Sequence, residues 1–96
     1  MKPSQALSSH REAIRDIVAS HRACNPRVFG SVLHGSDTEN SDLDILIDPS
    51  PGATLMDVAA VQVKLQRLLG VTVDVLTPKG LPPKFRNQVL TEARSV

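Results

Sequence analysis

Apolar and polar residues alternate along this 96-residue chain with a period that changes several times, and each change marks an element. Near the start, Leu7, Ile14, Ile17 and Val18 form an apolar stripe at helical spacing. They predict one helix from near Ser4 or Ser9 to about His21, and Ser9-x-x-Glu12 resembles a capping box. Asn25-Pro26 reads as a turn. Arg27-Val28-Phe29 reads as a short strand ending at Gly30-Ser31. A brief turn or helix covers Val32 to Gly35, and Ser36 to Ser41 is polar and loop-like. From Asp42 to Asp48 the period drops to two. Leu43, Ile45 and Ile47 fall on one face of this strand, with Asp42, Asp44, Leu46 and Asp48 on the other. Pro49-Ser50-Pro51-Gly52 stops it.

The period then returns to that of a helix. Leu55, Val58, Val61, Leu65 and Leu68 share one face, Thr54-x-x-Asp57 can cap the start and Gly70 can end it. Val71 to Leu76 is a β-branched strand with a single acid, Asp74. Thr77 to Gly80 is a loop, and Pro82-Pro83 opens a last helix with Phe85, Val89, Leu90 and Ala93 facing inward. The element order predicts an α/β (α+β) fold: one domain over residues 1–96, with a small, mixed, three-stranded sheet flanked by helices. The strand–helix–strand unit from 42 to 76 should place its strands parallel through a right-handed crossover.

Composition narrows the function. Val, Ile and Leu number 26, enough for a core, and no apolar run reaches the length of a membrane span. The start, Met1-Lys2-Pro3-Ser4, lacks the apolar region of a signal peptide, so a cytoplasmic protein without a membrane partner is expected. Cys24 is the only cysteine, which excludes an intrachain disulfide and a Cys-rich zinc site and suits a reducing compartment. Trp and Tyr are absent and Phe occurs twice, so direct nucleic-acid binding on a stacking platform is not expected. His10 and His21 read as surface residues of the first helix.

Net charge, +1, conceals a strong segregation. Residues 28–63 contain no Lys or Arg and six acids: Asp37, Glu39, Asp42, Asp44, Asp48 and Asp57. The flanking segments are both basic. Acids interleaved with Leu43, Ile45, Leu46 and Ile47 are drawn toward a core edge and need a compensating cation. Asp42 and Asp44 are two apart on a strand, so they point the same way with Cα atoms roughly 6.6 Å apart. Two such carboxylates repel by roughly 2.4 kcal/mol at an effective dielectric of about 20. A divalent cation turns that repulsion into attraction. Oxygen ligands without His or Cys favour Mg²⁺ or Mn²⁺. Asp74, on the strand expected alongside, supplies a third carboxylate. Three carboxylates can hold two metals roughly 3.5–4 Å apart, as in-line phosphoryl or nucleotidyl displacement requires.

Gly30-Ser31 supplies the complementary half. Glycine lets the backbone approach a phosphate, and a Ser hydroxyl with free N–H groups can hold phosphate oxygens. A phosphate holder followed by a metal holder suits a nucleoside triphosphate. Rival motifs fail on their own terms. Gly30-x-x-x-x-Gly35 has P-loop glycine spacing, but Ser36-Asp37 replaces the required Lys-Ser/Thr. Asp37, Glu39, Ser41 and Asp48 match a calcium loop at four positions, but Asp42 stands where glycine is needed. Ser31 and His34 lack the nucleophile elbow of a Ser–His–Asp hydrolase.

The stretch Phe29-Gly30-Ser31-Val32-Leu33-His34-Gly35 followed by Ser41-Asp42-Leu43-Asp44-Ile45-Leu46-Ile47 closely resembles the polymerase-β-like nucleotidyltransferase superfamily. Val73-Asp74-Val75-Leu76-Thr77-Pro78 and Val89-Leu90-Thr91-Glu92-Ala93 extend the resemblance, over essentially the whole chain, to the minimal nucleotidyltransferases. Many of those are antitoxins paired with a HEPN-domain ribonuclease toxin. The resemblance implies that Gly30 and Ser31 hold the triphosphate of ATP and that Asp42 and Asp44 bind both Mg²⁺ ions. Asp74 would bind the catalytic metal and help deprotonate the attacking hydroxyl. AMP would pass to a hydroxyl, a tyrosine in the antitoxin branch, of a HEPN-type toxin partner. The sequence departs from the pattern at His34, where the family often carries Arg; Lys79, Lys84 and Arg86 are the bases that could replace it. Two alternatives accompany this reading: a binding-only antitoxin with a weak or inactive site, and a catalytic module acting on RNA or a small molecule. The few elements leave no separate module for gripping such an acceptor, which favours a protein partner. The sequence is also compatible with an oligomer.

Overall fold

The first apolar stripe forms as expected, but His10 divides it. A computed structural model describes residues 1–96 and shows α1 over Pro3–Ser9 and α2 over Arg11–Ser20. His10 leaves the helical region (φ −134°, ψ 26°), and its Nδ1 lies 3.0 Å from the Ala6 carbonyl oxygen. His10, not Ser9, therefore occupies the N-cap of α2, and the capping box expected at Ser9 is not formed. Neither histidine is simply a surface residue: both are half-buried, and His21 Nε2 is buried without a hydrogen-bond partner.

The first strand is longer than its alternation suggests. β1 runs Ala23–Phe29 and absorbs Asn25-Pro26 as a bulge rather than a turn. Asn25 adopts φ 54°, a left-handed conformation that Asn tolerates better than most residues, and a bulge accommodates proline's missing N–H. The remaining elements are α3 (Gly30–Leu33), β2 (Leu43–Pro49), α4 (Leu55–Leu69), β3 (Val73–Leu76), a 3-10 turn (Pro78–Gly80), α5 (Pro83–Glu92) and β4 (Arg94–Ser95).

The sheet has four strands in the order β3-β2-β1-β4, not three. β1 pairs antiparallel with β2 and with β4, while β2 and β3 are parallel as the crossover rule requires. The added strand, β4, spans two residues, too short to leave a periodic signal. It pairs with β1, Arg27 opposite Ser95 and Val28 opposite Arg94, and Arg15 Nη1 donates to the Val96 carbonyl just after it at 3.0 Å. Beyond it, Val96 N donates to Pro26 O at 3.0 Å.

One face of the sheet is the core. Val28, Leu43, Ile45, Ile47, Val73 and Val75 pack there against Leu7, Ile14 and Val18 of the first two helices and Val61, Leu65 and Leu69 of α4. The capping of α4 is as expected: Met56 N donates to Thr54 Oγ1, Thr54 N donates to Asp57 Oδ2, and Gly70 takes φ 69° at the C-terminus. Its inward stripe holds at Val58, Val61 and Leu65 and departs from expectation only at the two ends. Leu69 is buried, whereas Leu55 and Leu68, expected inside, are 86% and 37% exposed. Two α4 side chains also reach the outermost strand. Val73 N donates to Gln66 Oε1 and Val75 N to Gln62 Oε1, at 3.1 and 3.0 Å.

The opposite face carries Phe29, Asp44 and Asp74 in one row, because Phe29 pairs with Asp44 and Asp44 with Asp74. α5 buries none of its residues, and Phe85 and Leu90, expected inward, are 51% and 39% exposed. Arg86 fastens the helix instead, donating to the carbonyls of Pro78, Lys79 and Leu81 at 2.9, 3.2 and 3.1 Å. Charged donors to carbonyls contribute about 1.5–3 kcal/mol in such settings. Arg86→Ala should therefore lower the melting temperature by several degrees, and Arg86→Lys, which lacks the planar fork, should recover little of it. Thermal denaturation of the two variants checks this.

Candidate active site

Of the six acids in residues 28–63, several have structural work. Asp37 is buried and accepts a hydrogen bond from Ser4 N at 2.9 Å, in the first turn of α1. That backbone contact holds its carboxyl below the usual carboxylate range. Asp48 pairs with Arg27 and accepts from Asn25 Nδ2 at 2.9 Å. Asp57 caps α4. Arg27 is thus the cation that compensates Asp48, a role the sequence pattern did not reveal because it depends on the β1–β2 register.

Glu39 lies 3.9 Å from the Met1 amino group, which leaves Asp42 and Asp44; no basic side chain forms an ion pair with either, or with Asp74 of β3. Asp44 and Asp74 are register partners on the parallel pair β2 and β3. Asp42 lies one residue before β2 and is exposed. The Asp44 carboxyl is pushed up to about 6, first by burial and then by the charges of Asp74 and Asp42. The side chains as they stand do not close around one ion position: no three His, Cys, Asp or Glu form a ligating group. The donor set nonetheless fits a hard divalent cation, since it consists of carboxylates whose repulsion, visible at Asp44, such an ion would relieve.

Gly30 closes the other side. It follows β1 directly, takes φ +72°, and a Cβ built on it would fall 2.2 Å from Asp44 Oδ2. Glycine here is therefore required twice, by the backbone and by the carboxylate packed against it. Ser31 follows in the first turn of α3, half-buried beside Gly30. The chain thus gathers Gly30, Asp44 and Asp74 closely, with Asp42 and Ser31 at the margin.

The bases considered as substitutes at His34 have other engagements. Arg86 binds backbone carbonyls, and the Lys84 amino group lies 5.7 Å from the Phe85 ring centroid. Lys79 lines a separate hollow with Asp48 and Thr77. His34 itself is 3.1 Å from Glu92, through Nε2 and Oε2. No α-helix is long and apolar enough to cross a membrane.

A parallel strand pair with adjoining carboxylates, abutted by a Gly-Ser turn, defines the class of protein. The nucleotidyltransferase domain family matches residues 9–96, and the chain belongs to that family. The resemblance to minimal nucleotidyltransferases drawn from its motifs is borne out. A solved structure described as "Structure of putative minimal nucleotidyltransferase" is 44% identical and superposes with a TM-score of 0.86, covering 97% of this chain and 95% of that one. Among named relatives, "Putative protein adenylyltransferase MJ0435" of Methanocaldococcus jannaschii is 33% identical, over 94% of this chain and 97% of its own. "Protein adenylyltransferase MntA" of Thermococcus cleftensis is 30% identical, over 90% of this chain and 84% of its own. The same fold, at 21% identity and a TM-score of 0.73, occurs in "Crystal structure of the toxin-antitoxin with AMP-PNP", with 88% of this chain and 69% of that one covered.

Proposed function

We propose that this nucleotidyltransferase moves AMP from ATP to a hydroxyl of a partner protein, a tyrosine of a HEPN-type toxin, and thereby acts as its antitoxin. The single observation that carries the chemistry is the register match of Asp44 with Asp74, uncompensated by any base and abutted by Gly30. The names of the relatives, protein adenylyltransferases at 33% and 30% identity, support the choice of acceptor class. The toxin–antitoxin fold neighbour supports the choice of partner.

Asp42, Asp44 and Asp74 would hold Mg²⁺ or Mn²⁺. Bound there, the cation supplies charge neutralisation for the triphosphate and for the attacking and leaving oxygens. The chain's own residues do the rest. Gly30 keeps the backbone beside Asp44 free of a side chain, and the Ser31 hydroxyl orients the triphosphate tail. Asp74 accepts the proton of the acceptor hydroxyl as its oxygen bonds to the α-phosphorus. The bond from that phosphorus to the bridging oxygen breaks, and pyrophosphate leaves with the electron pair.

Co-expression with the partner followed by intact-mass spectrometry tests the proposal. The partner should gain one or more AMP units, and the gain should vanish with Asp42→Asn. An unmodified partner beside the native chain, or an equal adduct beside Asp42→Asn, refutes it.

A further inference from the structure

The chain contains two aromatic residues, and both line one hollow. It encloses about 230 Å³ between Phe29 and Gly30 on one side and Phe85 and Val89 of α5 on the other. His34, Gln88 and Glu92 supply polar groups at its wall, with His34 Nε2 3.1 Å from Glu92 Oε2, so a ligand would share that carboxylate with the imidazole. Phe29 shares its row with Asp44 and Asp74, so the hollow opens beside the carboxylates. Elsewhere on this face α5 buries nothing, and Phe85 stands half exposed. A large apolar ring left partly in water, in the same hollow as the only other one in the chain, suits a flat ligand packed against it.

We infer that this hollow receives the base of the nucleoside triphosphate, and that its chemistry selects adenine. The inference rests on the function proposed above and extends it to base recognition. Size supports a lone ring. Pockets that enclose drug-sized ligands span roughly 300–1,000 Å³, so this one takes a base and leaves the sugar and phosphates outside, toward Gly30 and the carboxylates. Polarity supports the choice of base. The Glu92 carboxylate accepts hydrogen bonds and cannot donate them while ionised. It therefore favours an exocyclic amino group and opposes the O6 carbonyl of guanine. The Gln88 amide can pair with adenine through its carbonyl and its NH₂ together, as glutamine does at an adenine edge. Its present bond to Glu92 Oε1, at 3.3 Å, is long and easily exchanged.

Two ligands separate base recognition from triphosphate binding. With magnesium present, a non-hydrolysable ATP analogue and inorganic tripolyphosphate are titrated calorimetrically against the native chain, Phe85→Ala and Phe85→Trp. Base–aromatic stacking is worth about 1–3 kcal/mol, a factor of roughly 5–150 in affinity. Phe85→Ala should weaken the ATP analogue about tenfold and leave tripolyphosphate unchanged, and Phe85→Trp should restore the loss. Phe85 is half exposed, so neither change threatens folding. In the native chain the guanine counterpart should bind at least several-fold more weakly than the adenine one. Unchanged affinity of Phe85→Ala for the ATP analogue, equal weakening of both ligands, or indifference to the base overturns the assignment while the proposed function stands. So does a variant that binds ATP normally but fails to modify the partner, which would give the hollow to the acceptor. Failure of the native chain to bind either ligand overturns both.

Discussion

Asp44→Asn is expected to reduce nucleotide transfer on the order of 10³-fold and, in the absence of divalent cations, to raise the melting temperature at pH 7. Removing one directly placed charge-stabilising group costs roughly 10²–10³ in rate, and Asp44 is also a shared metal ligand in the proposed site. The gain in stability follows from the raised carboxyl. A group ordinarily at 3.8 stands at about 6 in the fold, so the native state holds its proton more tightly than the unfolded chain does. Stability from this group is therefore complete below pH 3.8 and lost as pH rises through about 6. Above that, the ionised carboxylate works against the fold. Discounted for its partial exposure, the penalty is about 1 kcal/mol, which corresponds to roughly 4–8 °C in a domain of this size. Melting curves from pH 4 to pH 8 should show the variant's advantage growing with pH, and magnesium should stabilise the native chain and not the variant. A variant less stable than the native chain at pH 7 would contradict the origin assigned to the shift. Asp37 has the opposite linkage. Its lowered carboxyl adds stability above the ordinary carboxylate range, which is lost as pH falls through the lowered value.

Gly30→Ala should be nearly as damaging, by a steric route. The left-handed backbone costs a non-glycine residue about 1–2 kcal/mol. The new methyl would also stand 2.2 Å from Asp44 Oδ2 and 3.2 Å from its Cγ. That neighbour is the end of a short side chain, so relief comes by swinging the carboxylate out of its row. Activity should therefore fall about 10²-fold or more, a larger effect than the expected loss of roughly 10 °C in melting temperature. Measuring Gly30→Ala in an Asp44→Ala background isolates the clash. Its destabilisation there should shrink to the backbone part, and an undiminished cost would mean that the carboxylate is not what the methyl meets.

The parts of this architecture that were legible in the sequence are those set by local rules. Period two over Leu43 to Ile47 and the Thr54–Asp57 cap with Gly70 each recur in place. The parallel pairing that joins Asp44 to Asp74 followed from the crossover rule alone. The contacts that escaped are those joining distant segments. Asn25-Pro26 has the composition of a turn, and only pairing with β2 makes it a bulge. The Asp37 contact with Ser4, the Arg27–Asp48 pair and the Gly30–Asp44 approach all depend on register or on a loop folding back. Phe85 and Leu90 depart from expectation because a periodic apolar face normally implies burial, whereas α5 is fastened by Arg86 and keeps that face partly open. Two phenylalanines are too few to predict a stacking platform, and composition carries no sign that both would line one hollow.

The amides of Gln62 and Gln66 have a consequence beyond the hydrogen bonds they make. β3 borders the sheet, and a bordering strand ordinarily offers its outward N–H groups to any extended segment that drifts by. Here two of those donors, at Val73 and Val75, are already occupied by side chains of the chain's own helix. The sheet is thereby discouraged from growing into a second molecule along that rim, and edge-to-edge self-association is blunted on the strand that carries Asp74.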